Sequence, residues 1–82
     1  MSYYVYMLKS LEEKTVTYVG YTSDIKKRIK LHNLGKGAKF TRGRKWKLIY
    51  KEKFNSKNEA ISREYYIKKN RFLRNKIKKK YI

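Results

Sequence analysis

Charged and polar side chains at helical spacing with apolar ones are the first candidates for chemistry in this sequence. Ile25, Arg28, Ile29 and His32 fall at i, i+3, i+4 and i+7, which places all four along one stripe of a helix. A charge turned towards an apolar surface must be paired or used, because burying it alone costs free energy. The pattern leaves a second interpretation open, in which Arg28 extends its charged end to the surface and His32 is a satisfied residue at the edge.

Glu64 is the carboxylate that the pattern turns towards a buried stripe, since it follows Ala60 by four residues and precedes Ile67 by three. A single inward carboxylate can hold one hard divalent cation when water and a substrate phosphate complete its shell, as is usual for Mg²⁺. The alternative is a surface ion pair with Lys68 at i+4, in the favourable Glu-to-Lys orientation. The other acids suit turns, helix starts or, for Glu52, pairing with a neighbouring lysine.

Other kinds of chemistry are excluded by composition and spacing. The chain has no cysteine and one histidine, so thiol catalysis, disulfides, thiolate metal sites and His-rich zinc sites are absent. No aspartate near His32 could complete a Ser-His-Asp set. The Gly35-Lys36-Gly37 run follows a helix, whereas a phosphate-binding fingerprint follows a strand and opens a helix. Tyr6 and Tyr18 fall in two predicted strands, where they suit a core and a site equally.

The charge balance points to a polyanionic partner. Lys and Arg number 24 against six Asp and Glu, which gives a formal net charge of +18 on 82 residues. Self-repulsion at this density destabilises a compact chain unless an anion or salt offsets it. Nucleic acid is the first candidate, because each neutralised phosphate releases condensed counterions. A membrane surface would require a basic amphipathic helix with large apolar side chains, but Trp46 lies in a strand-like run.

The residues above are positioned by six predicted elements. These are strands over Tyr3–Leu8, Thr15–Tyr21 and Trp46–Phe54, a helix from about Thr22 to Gly35, a helix from Ser56 to Lys69, and a last helix near Phe72–Tyr81. The first strand is apolar or aromatic almost throughout, which is typical of a strand buried on both faces. Gly20 marks a bulge or a close backbone approach.

Cap residues define the predicted helix ends. Thr22 or Ser23 can cap the first helix, with Asp24 in its first turn, and Gly35 supplies a left-handed stop. Ser56-Lys57-Asn58-Glu59 is a capping box. Asn70 tolerates the left-handed conformation and is predicted to separate the last two helices.

Residues 1–82 are therefore predicted to form a single α/β domain, with a small, mostly antiparallel three-stranded sheet flanked by helices in the order ββαβαα. The sequence contains neither the apolar run of about 20 residues needed to cross a bilayer nor a signal-peptide pattern. We expect a cytoplasmic monomer without a membrane partner or a small-molecule cofactor.

Motifs in this order resemble the GIY-YIG nuclease family, and in particular its small single-domain bacterial members. The resemblance rests on Tyr4-Val5-Tyr6 and Tyr18-Val19-Gly20 in paired strands, a helix with Arg28 and His32, and a later helix with Glu64. It extends from Tyr3 to about Lys69. The first motif opens with tyrosine in place of glycine, and the more C-terminal asparagine of the family has no clear match, although Asn70 and Asn75 are candidates.

The resemblance implies a metal-dependent endonuclease that hydrolyses DNA phosphodiester bonds in one step, as in DNA repair or processing. Position by position, Tyr6 matches the end of the first motif, Tyr18 the start of the second, Arg28 the helix arginine, His32 the His-or-Tyr position and Glu64 the metal-binding carboxylate. One Mg²⁺ or Mn²⁺ on Glu64 would stabilise the phosphate, with Arg28 as a second positive clamp.

The base that activates water is left open between the two motif tyrosines. A phenol has a pKa of about 10, so it would act as a base at neutral pH only if a nearby arginine and cation lowered that pKa by about two to three units. Either Tyr6 or Tyr18 fits, the other then orienting water or phosphate with His32 as a hydrogen-bond partner.

The glycine-rich loop of residues 35–45 is the predicted nucleic-acid contact, through Lys36, Lys39, Arg42 and Arg44. Two other functions remain possible for the same sequence. One is a binding module that keeps the fold without catalysis, and the other is a basic RNA-binding or ribosome-associated protein. Neither of them requires Glu64 to bind a metal.

Overall fold

The computed structural model describes residues 2–80 and has the predicted element order. The elements are β1 (Tyr3–Ser10), β2 (Thr17–Thr22), α1 (Ile25–Asn33), β3 (Trp46–Phe54), α2 (Lys57–Lys69) and α3 (Arg71–Lys80). Strand β2 begins two residues later than predicted. Val16 lies in the connection between β1 and β2, where its N–H donates to the side chain of Ser10, to Oγ, at 2.9 Å. The predicted end of the last helix at Tyr81 lies outside the described residues.

The sheet is antiparallel, with β1 at its centre and the strand order β2-β1-β3. This position explains the apolar composition of β1, since both its edges and both its faces are covered. Tyr6 pairs with Gly20 of β2 in regular register. Of the two predicted roles of Gly20, the close approach is found, and the irregularity of the sheet lies elsewhere, between Met7 and Leu8 where β1 meets β3.

Alternation along β1 divides the core between the two faces of the sheet. Val5 and Met7 point to the face covered by α2 and α3, whereas Tyr6 and Leu8 point to the face covered by α1. The first cluster also contains Val19, Ile49, Ala60, Ile67 and Ile77, and the second contains Trp46 with Val16, Tyr18, Ile25, Ile29 and Leu48 packed against it. Each face thus receives its own helix layer.

Helix ends follow the predicted chemistry with two corrections. Asp24, placed in the first turn of α1 by the sequence analysis, is itself the N-cap and accepts from Lys27 N–H. Neither Thr22 nor Ser23 caps the helix, because Thr22 Oγ1 instead accepts from Asp24 N–H at 3.1 Å and forms the preceding turn. Gly35 provides the predicted left-handed stop, with φ of 77°. Ser56 caps α2 as predicted and accepts from Glu59 N–H.

Asn70 separates α2 from α3 without adopting the left-handed conformation. Its φ is −103°, and its side-chain oxygen accepts from Leu73 N–H at 2.9 Å, so it acts as a cap for the start of α3. Glu52 of β3 pairs with Arg63 of α2 at 3.1 Å rather than with a neighbouring lysine, which ties that helix to the sheet. No helix within residues 2–80 is long and apolar enough to cross a membrane.

Candidate active site

A pocket of about 360 Å³ lies at the β2 edge of the sheet and brings together residues from both faces. Four of the predicted site residues line it, namely Tyr6, Tyr18, Arg28 and Glu64. They come from β1, β2, α1 and α2, so the pocket depends on the packing of all four elements. The lining is completed by Gly20, Tyr21 and Thr22.

His32 lies behind the pocket in a buried chain of hydrogen bonds. Its Nε2 atom is 2.7 Å from the Tyr6 hydroxyl, and its Nδ1 atom is 2.9 Å from Thr41 Oγ1. Thr41 donates its single hydroxyl proton to the carbonyl of Ala38 at 3.0 Å. Thr41 must therefore accept from Nδ1–H, which leaves Nε2 as the acceptor of the Tyr6 proton.

The protonation states agree with this assignment. Burial lowers the pKa of His32 to about 4, with a further contribution from the positive charge of Arg28, so the imidazole is neutral at pH 7. Burial also raises the pKa of Tyr6 to about 12, more than the hydrogen bond from Arg28 lowers it. The Tyr6 phenol is thus protonated in the metal-free protein, and its pKa shift is opposite to the one that a free phenolate base would need.

Arg28 is half-buried and directs its Nε–H at the Tyr6 hydroxyl, at 3.4 Å. Ile25 and Ile29 pack beneath it against the Tyr6 cluster, as the predicted stripe requires. The guanidinium therefore has a fixed place beside the pocket instead of extending away from it. Tyr18 also lies within hydrogen-bonding reach of the guanidinium, and the N–H groups that neither tyrosine takes are left for an anion in the pocket.

Glu64 combines the two interpretations that the sequence left open. Its side chain is only 17% exposed and lines the pocket, and it also pairs with Lys68 at 3.4 Å. Lys68 Nζ in turn lies 6.0 Å from the centre of the Tyr18 ring. Lys68 is thus a pocket-rim cation, a role that the sequence analysis missed because the i, i+4 pair alone gave no sign of the pocket.

One carboxylate is the metal-ligating group that this pocket offers. Residues 2–80 contain no cluster of three or more His, Cys, Asp or Glu side chains that could hold a metal. This donor set does not fit a closed protein cage of the kind that zinc or calcium occupies. It fits a hard cation such as Mg²⁺ or Mn²⁺ that keeps most of its water and takes further oxygens from a substrate phosphate.

The glycine-rich loop of residues 35–45 does not present its four predicted contact residues equally. Lys36, Lys39 and Arg42 are exposed. Arg44 is half-buried, pairs with Glu12 at 2.6 Å and lies 5.9 Å from the centre of the Phe40 ring. Three of the four are therefore free to meet a phosphate, whereas Arg44 is held in place.

Two further residues of this loop belong to the site and were not predicted from the sequence. Thr41 fixes the tautomer of His32, and Phe40 stacks against Tyr18 with ring centres 6.2 Å apart. Phe40 had one signal, since it is the single aromatic residue among glycines and cations. Thr41 had none, because its contact with His32 depends on how the loop turns.

A central antiparallel strand flanked by two layers of helices, with two motif tyrosines, an arginine and a glutamate converging at one edge, defines a GIY-YIG-type domain. The family model described as the GIY-YIG catalytic domain matches residues 2–81, and the chain belongs to this nuclease family.

Among curated relatives, a UPF0213 protein of Clostridium perfringens is 58% identical over 67 residues, covering 80% of this chain and 70% of the relative. A UPF0213 protein of Bacillus licheniformis is 49% identical over 82 residues, covering 99% of this chain and 79% of the relative. The solution NMR structure of a UPF0213 protein from Bacillus halodurans matches with a TM-score of 0.56 and 42% identity, over 94% of this chain and 82% of that one. The fold and the nuclease family predicted from the sequence are confirmed.

Proposed function

We propose that this protein is a divalent-metal-dependent endonuclease that hydrolyses DNA phosphodiester bonds, with a role in DNA repair or processing. The observation that carries the proposal is the meeting of Arg28, Glu64 and the two motif tyrosines in one pocket. Glu64 is one of only six acidic residues in the chain, and it lines the pocket that also holds the buried-stripe arginine. Ordinary packing gives no reason for these groups to converge.

Arg28 would bind the phosphate that is cleaved. Its guanidinium is fixed by the contact with Tyr6, and a planar donor group so held can meet two phosphate oxygens at once. Hydrogen bonds to a developing negative charge are strongest where water is excluded and the donors are already in position. A divalent cation held by Glu64 would add Lewis-acid stabilisation of the phosphate and the leaving oxygen.

Tyr6 would act as the base only with the pocket occupied, because its phenol is otherwise protonated. Its hydroxyl donates to Nε2 of His32, 2.7 Å away, and accepts from Arg28, so His32 orients the phenol and stays neutral. A cation held by Glu64, together with Arg28, would lower the pKa of Tyr6, and the phenol proton would leave to solvent before the phenolate accepts a proton from water. Tyr18, on the neighbouring strand, would then orient the water or the phosphate.

Lys68 would keep Glu64 neutralised until the substrate arrives. Its ammonium lies 3.4 Å from the carboxylate, where it offsets the negative charge in the absence of a cation. Binding of a cation at Glu64 would release this lysine towards the phosphate, which it can meet as a point charge. Glu64 would thus exchange Lys68 for the divalent cation as its positive partner.

The same ion pair is the observation that favours a second candidate, a nucleic-acid-binding module without catalysis. In that case Lys68 would be the permanent partner of Glu64, and the pocket would hold a phosphate without cleaving it. Divalent-cation dependence separates the two functions, because the module has no use for a metal.

The test is incubation of the purified protein with supercoiled, single-stranded and branched DNA, with and without Mg²⁺ or Mn²⁺. We expect cleavage that requires the cation. Glu64→Gln keeps the shape and removes the charge, and Arg28→Lys keeps the charge and removes the planar fork, so each should reduce cleavage by about 100-fold or more. Metal-free DNA binding should be unchanged or slightly tighter in Glu64→Gln.

Glu59→Gln is the matched control, because Glu59 is an exposed acid on the same helix and lies outside the pocket. It should cleave at the rate of the parent protein. Wild-type cleavage in both Glu64→Gln and Arg28→Lys would reject the catalytic site and leave the binding module.

A further inference from the structure

Phe40 presents a large aromatic surface beside the pocket. It lies in the loop between α1 and β3 and is 53% exposed. One of its neighbours is Tyr18, whose ring is nearly parallel at an angle of 22°. The other is Trp46, with ring centres 6.3 Å apart. These contacts fix the position of the ring but leave half of it open to solvent.

The side chains around this ring are positively charged, which suits the negative phosphates of a nucleotide. The Arg44 guanidinium lies 5.9 Å from the centre of the ring and is held there by Glu12. Lys39 and Arg42 flank Phe40 in the loop and are exposed. Proteins that hold single-stranded nucleic acid combine these two features, aromatic faces for the bases and cations for the backbone.

Tyr18 connects this surface to the pocket. Its side chain lines the pocket that contains Arg28 and Glu64, and its ring stacks against Phe40. A strand with its phosphate at Arg28 would therefore carry a neighbouring base past Phe40. A base inside a duplex is stacked on both faces, so only an unpaired or displaced base can meet the ring.

We propose that Phe40, supported by Tyr18 and Arg44, is a stacking platform for an unpaired base of the cleaved DNA strand. The substrate class is then DNA with a single-stranded segment at the cleavage point, such as a flap, a branch or an open strand. This inference rests on the proposed function, because it names the form of DNA that the same pocket receives.

The test is fluorescence anisotropy of labelled oligonucleotides without divalent cation, so that binding is measured without cleavage. The probes are a DNA single strand, the RNA strand of the same sequence, the DNA strand with abasic sites, and the matching DNA duplex. Phe40→Leu keeps apolar bulk and removes the aromatic face, so it should weaken single-strand binding by about 5- to 100-fold and leave duplex binding within twofold. Phe40→Tyr should retain binding of the single strand.

Two controls make the result specific to this position. Phe72 is 80% exposed on α3 and lies outside the pocket, so Phe72→Leu should bind the single strand as the parent protein does. If Phe40→Leu is poorly folded, the abasic strand tests the platform on the unchanged protein, which should bind it about 5- to 100-fold more weakly than the intact strand. Thermal unfolding of each variant establishes whether it is folded.

The platform would be overturned if Phe40→Leu lost affinity for single strand and duplex equally, or lost none. It would also be overturned if Phe72→Leu lost as much single-strand affinity as Phe40→Leu. Tighter binding of the matching RNA strand than of the DNA strand would overturn the assignment of DNA. Glu64-dependent cleavage with no Phe40 effect would reject the platform alone. A Phe40 effect on binding without any cleavage would reject the nuclease and support a base-stacking site.

Discussion

At the scale of single residues, the hydrogen bonds of His32 fix both its tautomer and its protonation state. Its ring is fully buried, both nitrogens are hydrogen-bonded, and the Thr41 hydroxyl decides which nitrogen carries the proton. A protonated imidazole would need two acceptors, but the Tyr6 hydroxyl would then have to turn its proton elsewhere, beside the positive charge of Arg28. The neutral ring is therefore part of the folded structure.

Stability should consequently depend on pH through this residue. Burial lowers the pKa of His32 in the folded protein to about 4. Below about pH 6.5 the histidine is therefore protonated in the unfolded chain but stays neutral in the folded one. Stability is lost as the pH falls through this window, by at most about 2 kcal/mol between pH 7 and pH 5. Urea unfolding at both pH values measures the loss.

His32→Gln is the comparison, because glutamine can hydrogen-bond but does not titrate. Its free energy of unfolding can be lower at every pH, but the part of the pH dependence that belongs to His32 should disappear. Parallel curves for the two proteins between pH 7 and pH 5 would show that the buried imidazole does not resist protonation.

At the scale of elements, the pairing of β1 with β2 determines how closely the two motifs approach. Gly20 lies opposite Tyr6, and a Cβ atom added to Gly20 would be 2.6 Å from the Tyr6 hydroxyl oxygen and 2.8 Å from Cζ. Tyr6 is 1% exposed and cannot move away. The last residue of the second motif therefore makes room for the last residue of the first.

Gly20→Ala should destabilise the protein by about 1–3 kcal/mol, since overpacking a filled core forces side chains out of place. In a Tyr6→Phe background the cost should fall by at least about 0.5 kcal/mol, because the closest atom is gone. Urea unfolding of the parent protein, Gly20→Ala, Tyr6→Phe and the double variant gives the double-mutant cycle. Gly43→Asn is the control, since Gly43 has φ of 79° with no neighbour within 4 Å and asparagine tolerates that conformation.

The elements also explain which parts of the site were predictable. Arg28, His32 and Glu64 follow from helix periodicity, because a regular helix fixes the direction of each side chain. Tyr6 and Tyr18 came from the resemblance to the family, since the strand pattern suited a core equally. The loop after α1 has no such period, so the contacts of Thr41 and Phe40 could not be read from it. The N-cap of α1 was predicted at Thr22 or Ser23 instead of Asp24 for a similar reason. All three residue types are suitable caps, and the conformation of the preceding turn determines which one caps the helix.

For the molecule as a whole, the positive charge exceeds what its own acids can balance. Six acidic side chains can neutralise the charge of at most six of the 24 cations. Arg44, Arg63 and Lys68 are held by glutamates, while Lys36, Lys39 and Arg42 are exposed on the loop beside the pocket. The paired cations position other groups, and the exposed ones are left for phosphates.

The affinity for DNA should therefore fall steeply with salt. Six phosphate contacts predict a slope of log affinity against log salt of about −5 for duplex and about −4 for a single strand. Changing Lys36, Lys39 and Arg42 together to alanine should flatten the duplex slope by about two to three units. Titrations over a range of salt concentrations give the slope, and a value near zero would exclude nucleic acid as the partner.

The position of β3 has a consequence for self-association. As the outer strand opposite the pocket, it leaves a row of backbone groups to which another chain could add a strand. Lys47, Lys51 and Lys53 are exposed along it, and charges on an edge strand oppose such addition. The basic composition thus opposes edge-to-edge aggregation of the free protein. Bound nucleic acid that screened these lysines would weaken that protection, so several copies crowded on one strand would be more prone to contact along β3.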